Sequence, residues 1–192
     1  ALALQPPGRF GYSEIHLGVA VRITGYAPDD STARCAARAA FAEVARLDSL
    51  LSDYRASSDV RAIASAAPGW VVVGSETMEV IGVALRIAAR SDGAFDPTIG
   101  PLVNLWRESR TTGRLPSSAA IRAAKALTGW RGVEVDPDRR AIRLRKLGMR
   151  LDLGGVAKGF IIQRALGVLA SHGVAAAMIE AGGDLAVSGP PP

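Results

Sequence analysis

The chain has 192 residues, 48% hydrophobic and 21% charged, the proportions of a folded protein rather than of a disordered tail, a collagen-like repeat or a coiled coil. Its 23 basic and 18 acidic residues leave a formal charge of +5, which invites an anionic ligand without identifying one. The single Cys35 excludes an internal disulfide and any zinc site built from several thiolates.

A chain of this length suits one domain, residues 1–192, around one main core, and no repeat, low-complexity run or linker divides it. No stretch reaches the ~18–20 uninterrupted apolar residues that span a bilayer, and the first residues carry no basic-then-apolar leader. The expectation is a cytoplasmic protein or one whose leader has been removed.

From Glu14 to Thr24, Ile15, Leu17, Val19, Val21 and Ile23 alternate with small or polar residues, the period of a half-buried strand in an antiparallel sheet. After the turn at Pro28 to Ser31, apolar residues at helical spacing predict one long amphipathic helix to about Leu51. Residues 52–58 are polar and read as an ordered surface loop, followed by a short helix and the Ala67-Pro68-Gly69 turn. Trp70 to Val73 predicts a strand, and Ser75 is placed to cap a helix running to about Arg90 and closed near Gly93.

A second helix is expected over Pro101 to Glu108 and a third over Ser117 to Leu127. Val133 to Val135 and Ala141 to Arg145, joined by Asp136-Pro137-Asp138, predict a hairpin whose arginines face water. Met149 to Leu153 reads as a strand, Gly154-Gly155 as a turn, and a helix follows to Gly173. Val174 to Ile179 and Leu185 to Val187 predict two further strands around a turn at Gly182-Gly183. The fold class expected is α+β, a mixed, largely antiparallel sheet flanked by helices.

Three constellations bear on chemistry. Leu151 to Gly159 puts two glycines where a strand becomes a helix, so backbone amides at the positive helix end can approach an anion such as a phosphate. Lys158, in the first turn of that helix, opposes the macrodipole and needs an anionic ligand or an acidic neighbour, for which Asp152 is the candidate. The same residues also suit a plain strand-to-helix connection with Lys158 in water. Ser91 to Pro101 packs turn formers around Phe95, with Asp96 held extended by Pro97; on local signals alone the favoured account is a helix end at Gly93 followed by a turn, with Thr98 capping the next helix. Gly182, Gly183 and Asp184 make a hairpin turn, and Glu180 before it must be exposed, paired or protonated.

His16 and His172 lack metal-ligand spacing, and no nucleophile-elbow sequence surrounds Ser75. The basic stretch Arg139 to Arg150 alternates with core residues and lacks interleaved aromatics, so it reads as a solvated strand face and not as a nucleic-acid surface.

Taken together, Leu51-Ser52-Asp53-Tyr54-Arg55, the run from Gly93 to Trp106, Leu151 to Phe160, and Ala181 to Asp184 resemble the ApbE family of FAD:protein FMN transferases, in order and spacing, from about His16 to Gly189. The resemblance implies an enzyme that binds FAD as substrate, uses Mg²⁺ to break its pyrophosphate and transfers FMN to a Thr or Ser hydroxyl of a target flavoprotein, releasing AMP. It further implies that Tyr54 contacts the flavin, that Ala94, Phe95 and Asp96 line the FAD pocket, and that Asp152 and Lys158 hold FAD near the glycine turn. Gly182, Gly183 and Asp184 would form another wall, and the main-chain oxygen of Gly155 a metal ligand. The resemblance names no catalytic base among these residues.

Two departures shape the expectation. The family's Met-Gly-Thr motif is replaced here by Leu17-Gly18-Val19. The family also continues past Gly189 with further strands and a segment that completes the metal site, so the 192 residues are expected to carry about half of the catalytic site and little activity alone. The alternative is a flavin-nucleotide binding or scaffold protein without catalysis. The resemblance implies a cell-envelope or periplasmic address, with no membrane anchor visible in the chain.

Overall fold

In the computed structural model, which describes residues 6–192, the alternating apolar residues near the start form a hairpin and not one strand. Strand β1 (Gly8–His16) pairs antiparallel with β2 (Val19–Ala27), and His16 faces Val19 across a two-residue loop. Leu17 and Gly18 have φ of 55° and 72°, the twist-matched backbone of a tight hairpin turn. The turn is hidden in the sequence because Leu17 keeps the apolar alternation, although leucine is an unusual occupant of the left-handed region.

The remaining elements follow the sequence reading closely. They are α1 (Asp30–Leu51), α2 (Asp59–Ala66), β3 (Val71–Val72), α3 (Ser75–Arg90), α4 (Gly100–Thr112) and α5 (Ser118–Lys125). Next come β4 (Val133–Asp136), β5 (Ala141–Leu144), α6 (Gly154–Ser171), β6 (Ala177–Ala181) and β7 (Asp184–Val187). The α+β class and the antiparallel pairing are as expected, with the strands divided between a four-stranded sheet, β1-β2-β6-β7, and a three-stranded one, β3-β5-β4.

Several local expectations are corrected. Ser75 is the first helical residue of α3 and Gly74 its cap, without a side-chain bond; Ser75 instead donates to Glu76 at 3.0 Å. Thr98 does not cap α4, whose cap is Ile99. Helix α4 runs one turn beyond Glu108 and closes at Gly113, φ 70°. Met149 to Leu153 is not a strand: it makes one isolated parallel bridge, Arg150 with Ile99. Its alternating burial is real, since Met149, Leu151 and Leu153 are all core residues, but its bridge partner Ile99 already has helical backbone and caps α4, so no ladder extends. Strand β6 begins at Ala177, three residues later than predicted.

The chain groups into two compact units, residues up to Asp48 with Ala157–Pro192, and Ser49–Val156. It passes from one to the other inside α1 and α6, so no polar linker marks either boundary in the sequence. In the first unit the core includes Val21 and Ile23 of β2, Ile179 and Ala181 of β6, and the apolar stripes of α1 (Ala40, Val44, Leu47) and α6 (Ile161, Ala165, Leu169). In the second it includes Ile63, Ile81, Ala84, Ile142, Leu144, Met149 and Leu151.

Candidate functional site

Within the second unit, two distant motifs lie side by side. The Asp152 amide donates to the Pro97 carbonyl at 2.8 Å, one step from the bridge between Ile99 and Arg150. A Cβ on Gly100 would fall 2.7 Å from the Arg150 Cβ and 2.8 Å from its carbonyl oxygen, so this approach of backbones requires glycine there. The same register brings the Phe95 ring onto Gly155, where a Cβ would sit 2.9 Å from Cε2.

Asp96 holds the loop that presents Phe95. Its Oδ1 accepts from the Thr98 amide at 2.8 Å and the Thr98 hydroxyl at 2.6 Å, and its Oδ2 accepts from the Trp130 amide at 3.1 Å. The fully buried Thr98 Oγ1 accepts from the Gly129 amide at 2.7 Å. Phe95 and Ala94 are fixed from the other side, the Phe95 amide donating to Ser91 Oγ at 3.1 Å and the Ala94 amide to the Ser91 carbonyl at 3.0 Å.

Asp152 serves the start of α6, its Oδ1 accepting from the Gly154 amide at 2.8 Å. Its Oδ2 lies 3.7 Å from a guanidinium nitrogen of Arg107, which also hydrogen-bonds Asp53. The Arg107 guanidinium carbon stands 4.1 Å from the centre of the Tyr54 ring, within cation–π range. Burial works against the Arg107 charge, but the hydrogen bond to Asp53 and the charges of Asp53, Tyr54 and Asp152 outweigh it and raise its pKa above the ordinary guanidinium value. Tyr54 is 71% exposed, while its backbone is held by Ser52 Oγ, which accepts from the amides of Tyr54 and Arg55 at 3.2 and 3.3 Å. Ser58 Oγ donates to the Ser52 carbonyl across the loop over 52–58.

Within the first unit, Lys158 finds its acidic neighbour in Asp184, Nζ to Oδ2 2.8 Å, and not in Asp152. Asp152 is instead committed to the Gly154 amide and faces Arg107. Asp184 opens β7 after the turn at Gly182 and Gly183, φ 55° and 96°. A Cβ on Gly182 would lie 2.9 Å from Val19 Cγ1, so β2 closes tightly over this turn. Glu180 is paired: it accepts from the Gly183 amide at 3.2 Å and from Arg22 at 2.7 Å, and these two bonds lower its carboxyl pKa.

The other titratable candidates have structural partners. His16 meets Glu14 at 2.9 Å and stacks on Phe41, while the His172 ring stands 2.9 Å from the Val168 carbonyl at the end of α6. Arg143 and Arg145 both bond Glu134, and Arg143 covers the Trp70 ring at 4.7 Å.

Magnesium prefers oxygen ligands, keeps several waters and binds with one or two carboxylates plus substrate phosphates. The described residues gather no group of three or more His, Cys, Asp or Glu side chains able to hold a metal ion. Asp53 and Asp152 share Arg107, and Asp184 is paired with Lys158. One main-chain oxygen at Gly155 does not make a site by itself, and these three carboxylates are already engaged by cationic side chains. Among the described residues no helix is long and apolar enough to cross a membrane.

The sequence motifs named Tyr54, Phe95, Asp96, Asp152, Lys158 and Asp184 without the residue that links the first of them to Asp152. Arg107 lies more than fifty residues from Tyr54, one position past the last motif residue, Trp106. Its only sequence signal is a basic residue in the middle of α4 with no acidic residue three or four positions before it.

A profile of the ApbE family matches residues 17–192. A FAD:protein FMN transferase of Klebsiella pneumoniae is 34% identical over 177 residues, 92% of this chain and 55% of that protein. One of Treponema pallidum is 28% identical over 184 residues, 92% and 51% respectively. Among solved structures, the ApbE protein of Thermotoga maritima superposes with a TM-score of 0.86 at 32% identity, covering 95% of this chain and 60% of that one. The apo flavinyl transferase ApbE of Pseudomonas stutzeri gives 0.84 at 26% identity, covering 100% and 64%. The chain spans about half the length of the curated relatives it matches.

Proposed function

Because this chain belongs to the ApbE family, we propose that it takes FAD as substrate and serves transfer of FMN from FAD to a Thr or Ser hydroxyl of a target flavoprotein, releasing AMP. The relatives' names support the reaction. The observation that carries the reading to this chain is the meeting of Phe95 with Gly155 and of Pro97 with Asp152, which joins the two longest family-like segments into one surface beside exposed Tyr54.

In the proposed reaction the acceptor oxygen attacks the phosphorus of the FMN half, the bond to the bridging oxygen breaks, and AMP leaves with the electron pair. The hydroxyl proton passes to a base that none of these residues is assigned to be. Such a displacement asks for positioning and for neutralisation of charge on phosphate oxygens. Lys158 supplies a cation on the first turns of α6, where helix amides also favour an anion. Tyr54, Ala94 and Phe95 are proposed to receive the flavin, Asp96 to hold their loop, and Gly182, Gly183 and Asp184 to present the other contacts. No step is assigned to a metal: magnesium, and Gly155 as its ligand, rest on family resemblance alone, as does a cell-envelope or periplasmic address.

Equilibrium titration with FAD, riboflavin and ADP tests the reading. FAD should bind, with riboflavin reporting the ring contacts and ADP the phosphate contacts separately. A chain that binds neither riboflavin nor FAD contradicts the proposal.

A further inference from the structure

Tyr54 is exposed on a loop, a poor place for a stacking platform, because a free ring loses its side-chain freedom each time a ligand binds. Here one face of the ring already rests on the Arg107 guanidinium at 4.1 Å. Arg107 is itself held, bonded to Asp53 next in sequence to Tyr54 and facing Asp152 at 3.7 Å. The planar fork of arginine can meet carboxylates at its edge while stacking an aromatic ring on its face. The arrangement thus couples the Tyr54 loop to the start of α6 through one side chain of α4.

We propose that Arg107 is a positioning residue for flavin binding: it backs the Tyr54 ring so that the opposite face is presented, already oriented, to the isoalloxazine. This rests on the reading of Tyr54 as a flavin contact. Arg107 touches no ligand in this scheme and acts through Tyr54. Lysine at the position retains the charge beside the ring but loses the planar stack and the two-sided carboxylate contact, so it should restore binding only in part.

Riboflavin is the probe, because it carries no phosphate on which the lost charge of Arg107 would act directly. Its affinity and the quenching of its fluorescence at saturation are measured for the unmutated chain and for R107A, R107K, R107Q, Y54A and the Y54A/R107A pair, with thermal unfolding recorded for each. R107A should weaken riboflavin by about 3- to 10-fold and reduce the quenching, with R107K intermediate. The pair should bind no more weakly than Y54A alone, because Arg107 has nothing left to orient. R107Q, which keeps hydrogen-bonding capacity towards Asp53, replaces R107A in the comparison if that variant does not fold.

Undiminished affinity and quenching in R107A or R107Q overturn the inference, as does a pair whose loss is the product of the single losses. If the unmutated chain binds no riboflavin, the functional reading fails and this inference with it. Binding by the unmutated chain that is indifferent to Arg107 removes this inference alone.

Discussion

The Phe95 ring lies directly on the backbone of Gly155: a Cβ on that glycine would stand 2.9 Å from Cε2. Residues sixty positions apart in the chain therefore share one contact, and glycine at the head of α6 is explained by packing as well as by any ligand.

Gly155→Ala sets two effects against each other. Alanine in place of a helical glycine gains up to ~1 kcal/mol, whereas crowding a packed contact costs about 1–3 kcal/mol. The crowding should win, lowering the unfolding temperature and weakening FAD. Gly167→Ala, on the same helix with nothing within 4 Å of its Cβ position, should raise it. Calorimetric scans of both variants check the sign of each.

Asp96→Ala should destabilise the second unit by about 1.5–3 kcal/mol, since three hydrogen bonds to the carboxylate are lost and Thr98 is left buried without one of its partners. Chemical denaturation should show a lower midpoint with an unchanged slope. Unaltered stability with weakened FAD would instead make Asp96 a pure ligand contact.

Much of this was legible in the sequence. Periodicity located the helices, and the turn residues Asp136-Pro137-Asp138 and Gly182-Gly183 between apolar runs located the β4–β5 and β6–β7 hairpins, because each of those signals is local. Leu17 was not legible, since an apolar residue at positive φ looks like strand. The pairing of Met149 to Leu153 was hidden as well, because its alternation shows which side chains are buried and not which backbone lies beside it. At the site, motif residues were visible one by one, whereas the partners of Lys158 and Tyr54 depend on side chains brought from β7 and α4. Asp152 was the nearer acid in sequence, but its bond to the Gly154 amide fixes its carboxylate at the helix start.

Lys158→Ala should weaken FAD by about tenfold and leave riboflavin nearly unchanged, because the ammonium is proposed to meet phosphate. Parallel titrations of the two ligands check this. Equal losses for both would assign Lys158 to its ion pair with Asp184 rather than to the ligand.

Glu134 is held below its ordinary value of 4.5 by bonds to Arg145 and Arg143, and Glu180 by the Gly183 amide and Arg22. A carboxyl lowered on folding contributes stability that is complete above about pH 4.5 and is lost as pH falls through the folded value. Glu134→Gln and Glu180→Gln should therefore be less stable than the unmutated chain at pH 7, with the gap closing as the pH drops below 4.5. Urea midpoints at pH 7, 4.5 and 3.5 test this; a gap that does not change with pH would contradict it.

The central claim is tested most directly by measuring AMP released from FAD and flavin covalently bound to an acceptor protein in the same sample, with Mg²⁺ present. The curated relatives are nearly twice as long, so the assay is run on the chain joined to the remaining segment of the Klebsiella pneumoniae relative. The account predicts AMP and acceptor-bound FMN in equal amounts, both sharply reduced by Lys158→Ala. A joined protein that binds FAD and returns it intact, with no AMP and no labelled acceptor, would contradict it.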